Sequence, residues 1–305
     1  MGDAAILAVA RAAAGLAAVG EGALAAALLA DGAPSETAVV RASRAGVAAL
    51  LALTVDGDLR AYRARSLDAV EAFTAAADRR GACTQRVNAG YAAIRLGRIT
   101  EAQAHLERAA EEARGLGLHH LAAAAKHNLG LVRLRLGDVP GSIALQTHAL
   151  STLLAQGDLR LAEGARCYLA EAMLADGRLG EALREAERAA TALADVPTMR
   201  AVAGVTLARA ARLNGDFARA SRALDACHPA GLPADALASH VERVELAAAM
   251  ADERRRRLAL AEANAVLATV VEGFADEELG HFFDGVPEAR LLRVTRARYA
   301  EGVDD

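Results

Sequence analysis

The sequence predicts an all-α fold, a solenoid of stacked antiparallel helix pairs, and three observations carry that reading. Four times a Gly ends an Ala- and Leu-rich helical run, is followed two residues later by an apolar residue, and three further on by a small one. These glycines, Gly97, Gly137, Gly177 and Gly215, lie 40, 40 and 38 residues apart, and a period near 40 residues signals tandem helical hairpins. Finally, 54% of the 305 residues are hydrophobic but 3% are aromatic and none is Trp. Much of that hydrophobicity is Ala, which favours helix and suits close packing between neighbouring helices better than one bulky central core.

Each repeat position has a physical task. Gly leaves a helix with positive φ at no steric cost, so it starts the tight turn. Ile99, Val139, Leu179 and Phe217 then plug the hairpin. Ala102, Ser142, Ala182 and Ala220 let the second helix approach the first closely. Upstream of each Gly stand Ala89-Gly90, Leu129-Gly130, Leu169-Ala170 and Leu207-Ala208, where the second member is again small.

Along the chain, residues 1–82 read as degenerate repeats, anchored by Gly20 and by Asp56-Gly57-Asp58-Leu59, with Ser35 as a helix N-cap in the loop of residues 33–36. The Ala/Leu stretch of residues 4–30 looks superficially like a targeting segment. Asp3 stands where a signal peptide wants positive charge, and Arg11 and Glu21 interrupt the run, so two amphipathic helices are expected. Residues 83–228 hold the four clear repeats. Residues 229–305 form a further helical repeat and capping helices, after a break at residues 228–233. Pro287 should open a terminal helix, with Phe282 and Phe283 covering the end of the stack.

Asn128-Leu129-Gly130 with Gly137-Asp138, and Tyr168-Leu169-Ala170 with Asp176-Gly177, resemble the tetratricopeptide repeat (TPR) family. The resemblance covers residues 83–227. It departs from the family in its longer period and in Ala, Leu or Arg where aromatics are usual. It implies a right-handed superhelix whose first helices line a concave binding surface. Carried over by position, that surface includes Asn88, Tyr91 and Arg95; His127, Asn128, Leu131 and Arg135; Tyr168 and Glu171; and Arg209 and Arg212. The two-carboxylate clamp of chaperone cofactors is not reproduced, because Gly164 stands where it needs Lys. The run Phe282-Phe283-Asp284-Gly285-Val286-Pro287-Glu288 resembles the ending of C-terminal TPR arrays in large bacterial regulators, those linked to an ATPase or Ser/Thr kinase domain.

A basic ladder also follows the repeat. Arg86, Lys126 and Arg166 share one position that is normally apolar, and Arg95 and Arg135 share another. The ladder is either a solubilising exterior or a positive strip along one rim. Arg254, Arg255, Arg256 and Arg257 point in four directions on a helix and read as solvated exterior.

Candidate chemistry is sparse. His119, His120 and His127 lack a completing carboxylate or Cys at ligand spacing, so no metal site is expected. Cys83, Cys167 and Cys227 read as small buried residues in a reducing compartment, hence a cytoplasmic protein. No phosphate-binding Gly-rich loop or kinase triplet is present, and no acid, base or nucleophile set converges. A net charge of -4 gives no reason to expect nucleic acid. No membrane partner and no cofactor are expected either.

The chain is therefore expected to be a non-catalytic interaction module for a peptide, helix or protein of acidic or amphipathic character, within a bacterial signalling or regulatory protein. The alternative is a ligand- or peptide-sensing arm that regulates an attached kinase, ATPase, protease or DNA-binding domain. The abrupt start inside an Ala-rich helix favours a fragment of a larger chain.

Overall fold

The computed structural model describes residues 8–10, 12–13, 15–16, 21–30, 37–227 and 232–300. The Gly20 anchor, the loop with Ser35, and the break from His228 to Gly231 lie outside the described residues. The described helices are α1 (Gly22–Ala30), α2 (Ala38–Thr54), α3 (Leu59–Ala75), α4 (Arg79–Arg95), α5 (Ile99–Gly115), α6 (His119–Arg135), α7 (Val139–Ala155) and α8 (Leu159–Ala175). They continue as α9 (Leu179–Ala192), α10 (Pro197–Leu213), α11 (Phe217–Asp225), α12 (Pro233–Ala249), α13 (Glu253–Val270), α14 (Asp276–Gly285) and α15 (Pro287–Ala300). No strand occurs among the described residues. The fold is the all-α helical-repeat solenoid that the sequence predicts.

The turns explain the regularity. Gly57, Ala77, Gly97, Gly117, Gly137, Gly157 and Gly177 stand every 20 residues, all with positive φ between 56° and 83°. The 40-residue period is therefore two nearly equal half-turns, with Ala77 holding a conformation that normally calls for Gly. Around Gly137, the Gly amide donates to the Leu134 carbonyl at 3.1 Å and the Asp138 amide to the Arg133 carbonyl at 2.9 Å, which satisfies the end of α6. The Asp138 carboxylate then accepts from the Gly141 amide at 2.9 Å, capping the start of α7. Asp58, Asp78, Asp158, Asp216 and Asp252 cap their helices in the same way. A Gly-Asp dipeptide thus ends one helix and begins the next at residues 57–58, 137–138, 157–158 and 215–216, and Ala-Asp does so at 77–78 and 251–252.

The chain divides into two compact units, Met1–Asn128 and Leu129–Asp305. In the first, α2 packs on α3, α3 on α4 and α4 on α5. A side chain added at Gly90 would come within 2.6 Å of Leu106 Cγ, so the missing Cβ lets α4 and α5 close together. In the second, the small residue sixteen before Gln146 is Gly130, whose missing side chain leaves the space that Gln146 fills.

Also in the second unit, α8 packs on α9, α10 on α11 and α12 on α13, and the first helices α8, α10 and α12 adjoin in sequence. At its C-terminal end a cluster of Leu237, Val241, Val244, Ala263, Leu267, Phe282 and Leu292 joins α12, α13, α14 and α15. Phe282 is fully buried there and stacks edge-on against Phe274, with ring centroids 5.6 Å apart. Pro287 opens α15, as expected.

All three cysteines are free, buried thiols. Burial raises each of them, Cys227 to about 11.

Candidate functional site

The two helices of a pair bury their side chains differently. Second helices bury one narrow stripe, mostly of small residues and Leu, such as Ala102, Leu106, Ala109 and Ala113 on α5, or Ala182, Ala186 and Ala189 on α9, with Gln146 on α7 an exception. First helices are covered on several sides, so polar groups go under with the apolar ones: Gln85 and Arg86 on α4, Glu163 on α8, Ser239 and Glu242 on α12. Burying such groups is costly unless they are paired. The first-helix layer therefore carries most of the built polar chemistry.

The largest such construction lies in the second unit. Arg209 on α10 is its hub. Its Nη1 donates to Glu171 of α8 at 2.7 Å, its Nε to Glu242 of α12 at 3.2 Å, and its Nη2 reaches Glu288 of α15 at 3.5 Å. Arg212, one turn along, donates through Nε to the other oxygen of Glu242 at 2.6 Å and lies 4.0 Å from Glu245. Glu242 is only 1% exposed, and its pairing with two guanidinium groups explains how a carboxylate is tolerated there. The attraction of Glu171 in particular raises Arg209 well above the usual guanidinium range.

Arg135, at the end of α6, differs. Its Nε is shielded from solvent and has no hydrogen-bond partner. Burial lowers its guanidinium below the ordinary range, and Glu288 is the strongest opposing influence, followed by Tyr168.

Of the expected surface, Arg135, Tyr168, Glu171, Arg209 and Arg212 thus belong to one electrostatic cluster in the second unit. Leu131, in the same unit, is buried. In the first unit, Asn88 donates to Gln85 at 3.3 Å, and Arg95 donates to the Tyr91 hydroxyl at 2.9 Å with its guanidinium over the Tyr91 ring. His127 and Asn128 are buried.

Glu242 and Glu288 were not anticipated from the sequence. The available signal was the Arg209/Arg212 pair, two cations one turn apart on a first helix that demand carboxylates from the flanking helices.

Other expectations are corrected. At Arg86 and Arg166 the ladder position shared with Lys126 is neither a solubilising exterior nor a positive strip. Arg86 is buried and bonded to Glu112 on α5. Arg166 pairs with Glu163 and, across to α9, with Glu185 at 2.6 Å. Burial opposes its charge, but the hydrogen bonds to both carboxylates outweigh it and raise Arg166. Lys126 is half-buried. At Arg86 and Arg166 this position faces the partner helix, so these two cations clasp helix to helix. In the Arg254–Arg257 run, Arg256 is half-buried and not exterior.

His119 and His120 are exposed while His127 is buried, so the three do not share one environment. Among the described residues no group of three His, Cys, Asp or Glu side chains is placed to hold a metal. No described helix is long and apolar enough to cross a membrane.

No protein-family model matches the chain, and no curated protein matches it in sequence. Solved structures do match it in fold. A Rap protein complexed with competence and sporulation factor superposes with a TM-score of 0.64 at 12% identity, over 97% of this chain and 98% of the other. The Rap conjugation gene regulator of plasmid pLS20, complexed with the Phr* peptide, gives 0.62 at 11% identity over 92% and 86%. NprR in complex with its cognate peptide NprX gives 0.60 at 13% identity over 97% and 93%. By fold, the chain is a TPR-like helical-repeat solenoid.

Proposed function

We propose that the chain is a non-catalytic binding module, and that the first-helix face of its second unit, around Arg135, Tyr168, Glu171, Arg209 and Arg212, receives a peptide, helix or protein segment. The observation that carries this reading is Arg135, whose Nε is held away from water without a hydrogen-bond partner beside a charge cluster. A shielded cationic donor of this kind is costly to leave unmatched, and a ligand that supplies its acceptor recovers that cost. The peptide complexes of the Rap and NprR structures support the same reading by analogy of fold. One of those neighbours is named a conjugation gene regulator, which favours a second role as a peptide-sensing arm of a bacterial regulator acting in the cytoplasm.

The test is a displayed-peptide selection on the whole chain, followed by calorimetry on the winners. Arg135→Met with Tyr168→Ala should weaken binding about tenfold. Reversing Arg255 and Arg257, both about two-thirds exposed on α13, should not. Equal loss from the two pairs, or a selection that yields no binder, overturns the proposal.

A further inference from the structure

The charge cluster of the second unit already holds enough carboxylates for its guanidinium groups. Arg135, Arg209 and Arg212 supply three positive charges, Glu171, Glu242 and Glu288 supply three negative ones, and Glu245 lies 4.0 Å from Arg212. A ligand carboxylate added to this set would bring like charge into a shielded site, so it must replace a resident carboxylate. The three residents are not equally replaceable. Glu242 is 1% exposed and bridges both Arg209 and Arg212. Glu171 holds Arg209 at 2.7 Å. Glu288 makes the longest of the three contacts to Arg209, 3.5 Å, and comes from the last described helix, 79 residues on. It is the second residue of α15, where the helix N-terminus favours a carboxylate. Glu288 is also the carboxylate that acts most strongly on Arg135.

We propose that Glu288 is an internal occupant of a carboxylate-binding site formed by Arg135 and Arg209, and that an acidic peptide enters by displacing it. This rests on the peptide-binding reading above and adds to it the ligand's charge and a built-in competitor. The ligand carboxylate takes the acceptor place at Arg209, brings an acceptor within reach of the Arg135 Nε, and leaves the charge balance unchanged. Binding is then coupled to release of the α15 N-terminus.

The probes are a fluorescent alternating Glu-Ala peptide and its Gln-Ala counterpart, titrated by anisotropy against the whole chain. In Glu288→Ala, where Arg209 keeps Glu171 and Glu242 and circular dichroism should match the parent, the Glu-Ala peptide should bind about tenfold more tightly, since the competing state is gone. The Gln-Ala peptide should not gain, and Arg135→Met combined with Glu288→Ala should lose the advantage. On the parent chain, the Glu-Ala peptide should speed amide hydrogen exchange in the first turn of α15. Unchanged affinity in Glu288→Ala, or a gain that persists without Arg135, overturns the displacement. If neither parent nor Glu288→Ala binds the Glu-Ala peptide while selected peptides still bind, this inference fails and the binding-module reading stands. If selected peptides fail as well, both fall.

Discussion

Two salt bridges of equal sequence span show how differently the two helix layers are built. In the first unit, Arg63 of α3 donates to Glu101 of α5, two second helices 38 residues apart, at 2.6 Å. In the second unit, Arg209 of α10 donates to Glu171 of α8, two first helices also 38 residues apart, at 2.7 Å. The outer bridge stands at 27% and 23% exposure, and Arg98 and His105, at 3.8 and 3.6 Å, gather around the same carboxylate. The inner one shares its Arg with Glu242 and Glu288 and leads through Glu242 to Arg212. The same repeat spacing therefore yields a clasp around one carboxylate on one layer and a network of several carboxylates and guanidinium groups on the other. Covering a helix on several sides gathers its charges into one network, whereas a helix that buries one stripe keeps its charges in smaller, more exposed groups.

The sharpest way to break the contrast is to attack the stripe itself. Leu106→Ala removes a fully buried side chain that fills the space left by Gly90, and should cost about 2–5 kcal/mol in urea unfolding. Leu154→Ala, on a second helix but 40% exposed, should cost under about 0.5 kcal/mol. Similar losses at both positions would mean that the stripe is not the seam.

A smaller effect sharpens the electrostatic side. Arg209→Met leaves Glu242 and Glu171 short of a partner and should cost about 2–3 kcal/mol. Arg63→Met should cost about 1 kcal/mol at neutral pH. Burial alone would push the Glu101 carboxyl up, but hydrogen bonds from His105 and Arg63 outweigh it and hold it at about 2. Its stabilising contribution is full above the usual carboxylate range and is lost as pH falls toward 2. The stability gap between the parent and Arg63→Met should therefore close on acidification, and a gap that widens would contradict the assignment.

Smallest is the turn strain. Ala77 has a φ of 56°, so Ala77→Gly should stabilise the chain by about 0.5–1 kcal/mol, net of the freer unfolded backbone. Gly57→Ala at the equivalent turn should do the reverse.

These turns also explain what was legible beforehand. The 40-residue period could be read because positive φ demands Gly at one turn of each pair, and the small residues Gly90, Ala102, Gly130 and Ser142 mark where helices meet. The 20-residue half-period was obscured because Ala77 occupies one left-handed turn and because His119 stands two residues after Gly117 where an apolar residue frames the other turns, which left Gly157, with Leu159 and Ala162, as an unmatched signal. At the site, Tyr168, Glu171, Arg209 and Arg212 were accessible through repeat register. Glu242 and Glu288 were not, since each lies at an irregular distance, 33 and 79 residues from Arg209, past a shortened α11 and in the closing helices. The Arg86 and Arg166 ladder misled because a cation on a helix looks the same in sequence whether it faces water or Glu112 and Glu185.

The three buried thiols give the folded chain a reporter. Cys83 lies in the first unit and Cys167 and Cys227 in the second, and each is shielded and raised, so none offers the thiolate that alkylating reagents need. A maleimide pulse followed by mass mapping should leave the native chain unmodified and mark each cysteine only as its own surroundings open. The native cysteines thus record, unit by unit, the order in which the array comes apart, and leave any single cysteine introduced on the surface as the sole target for a probe.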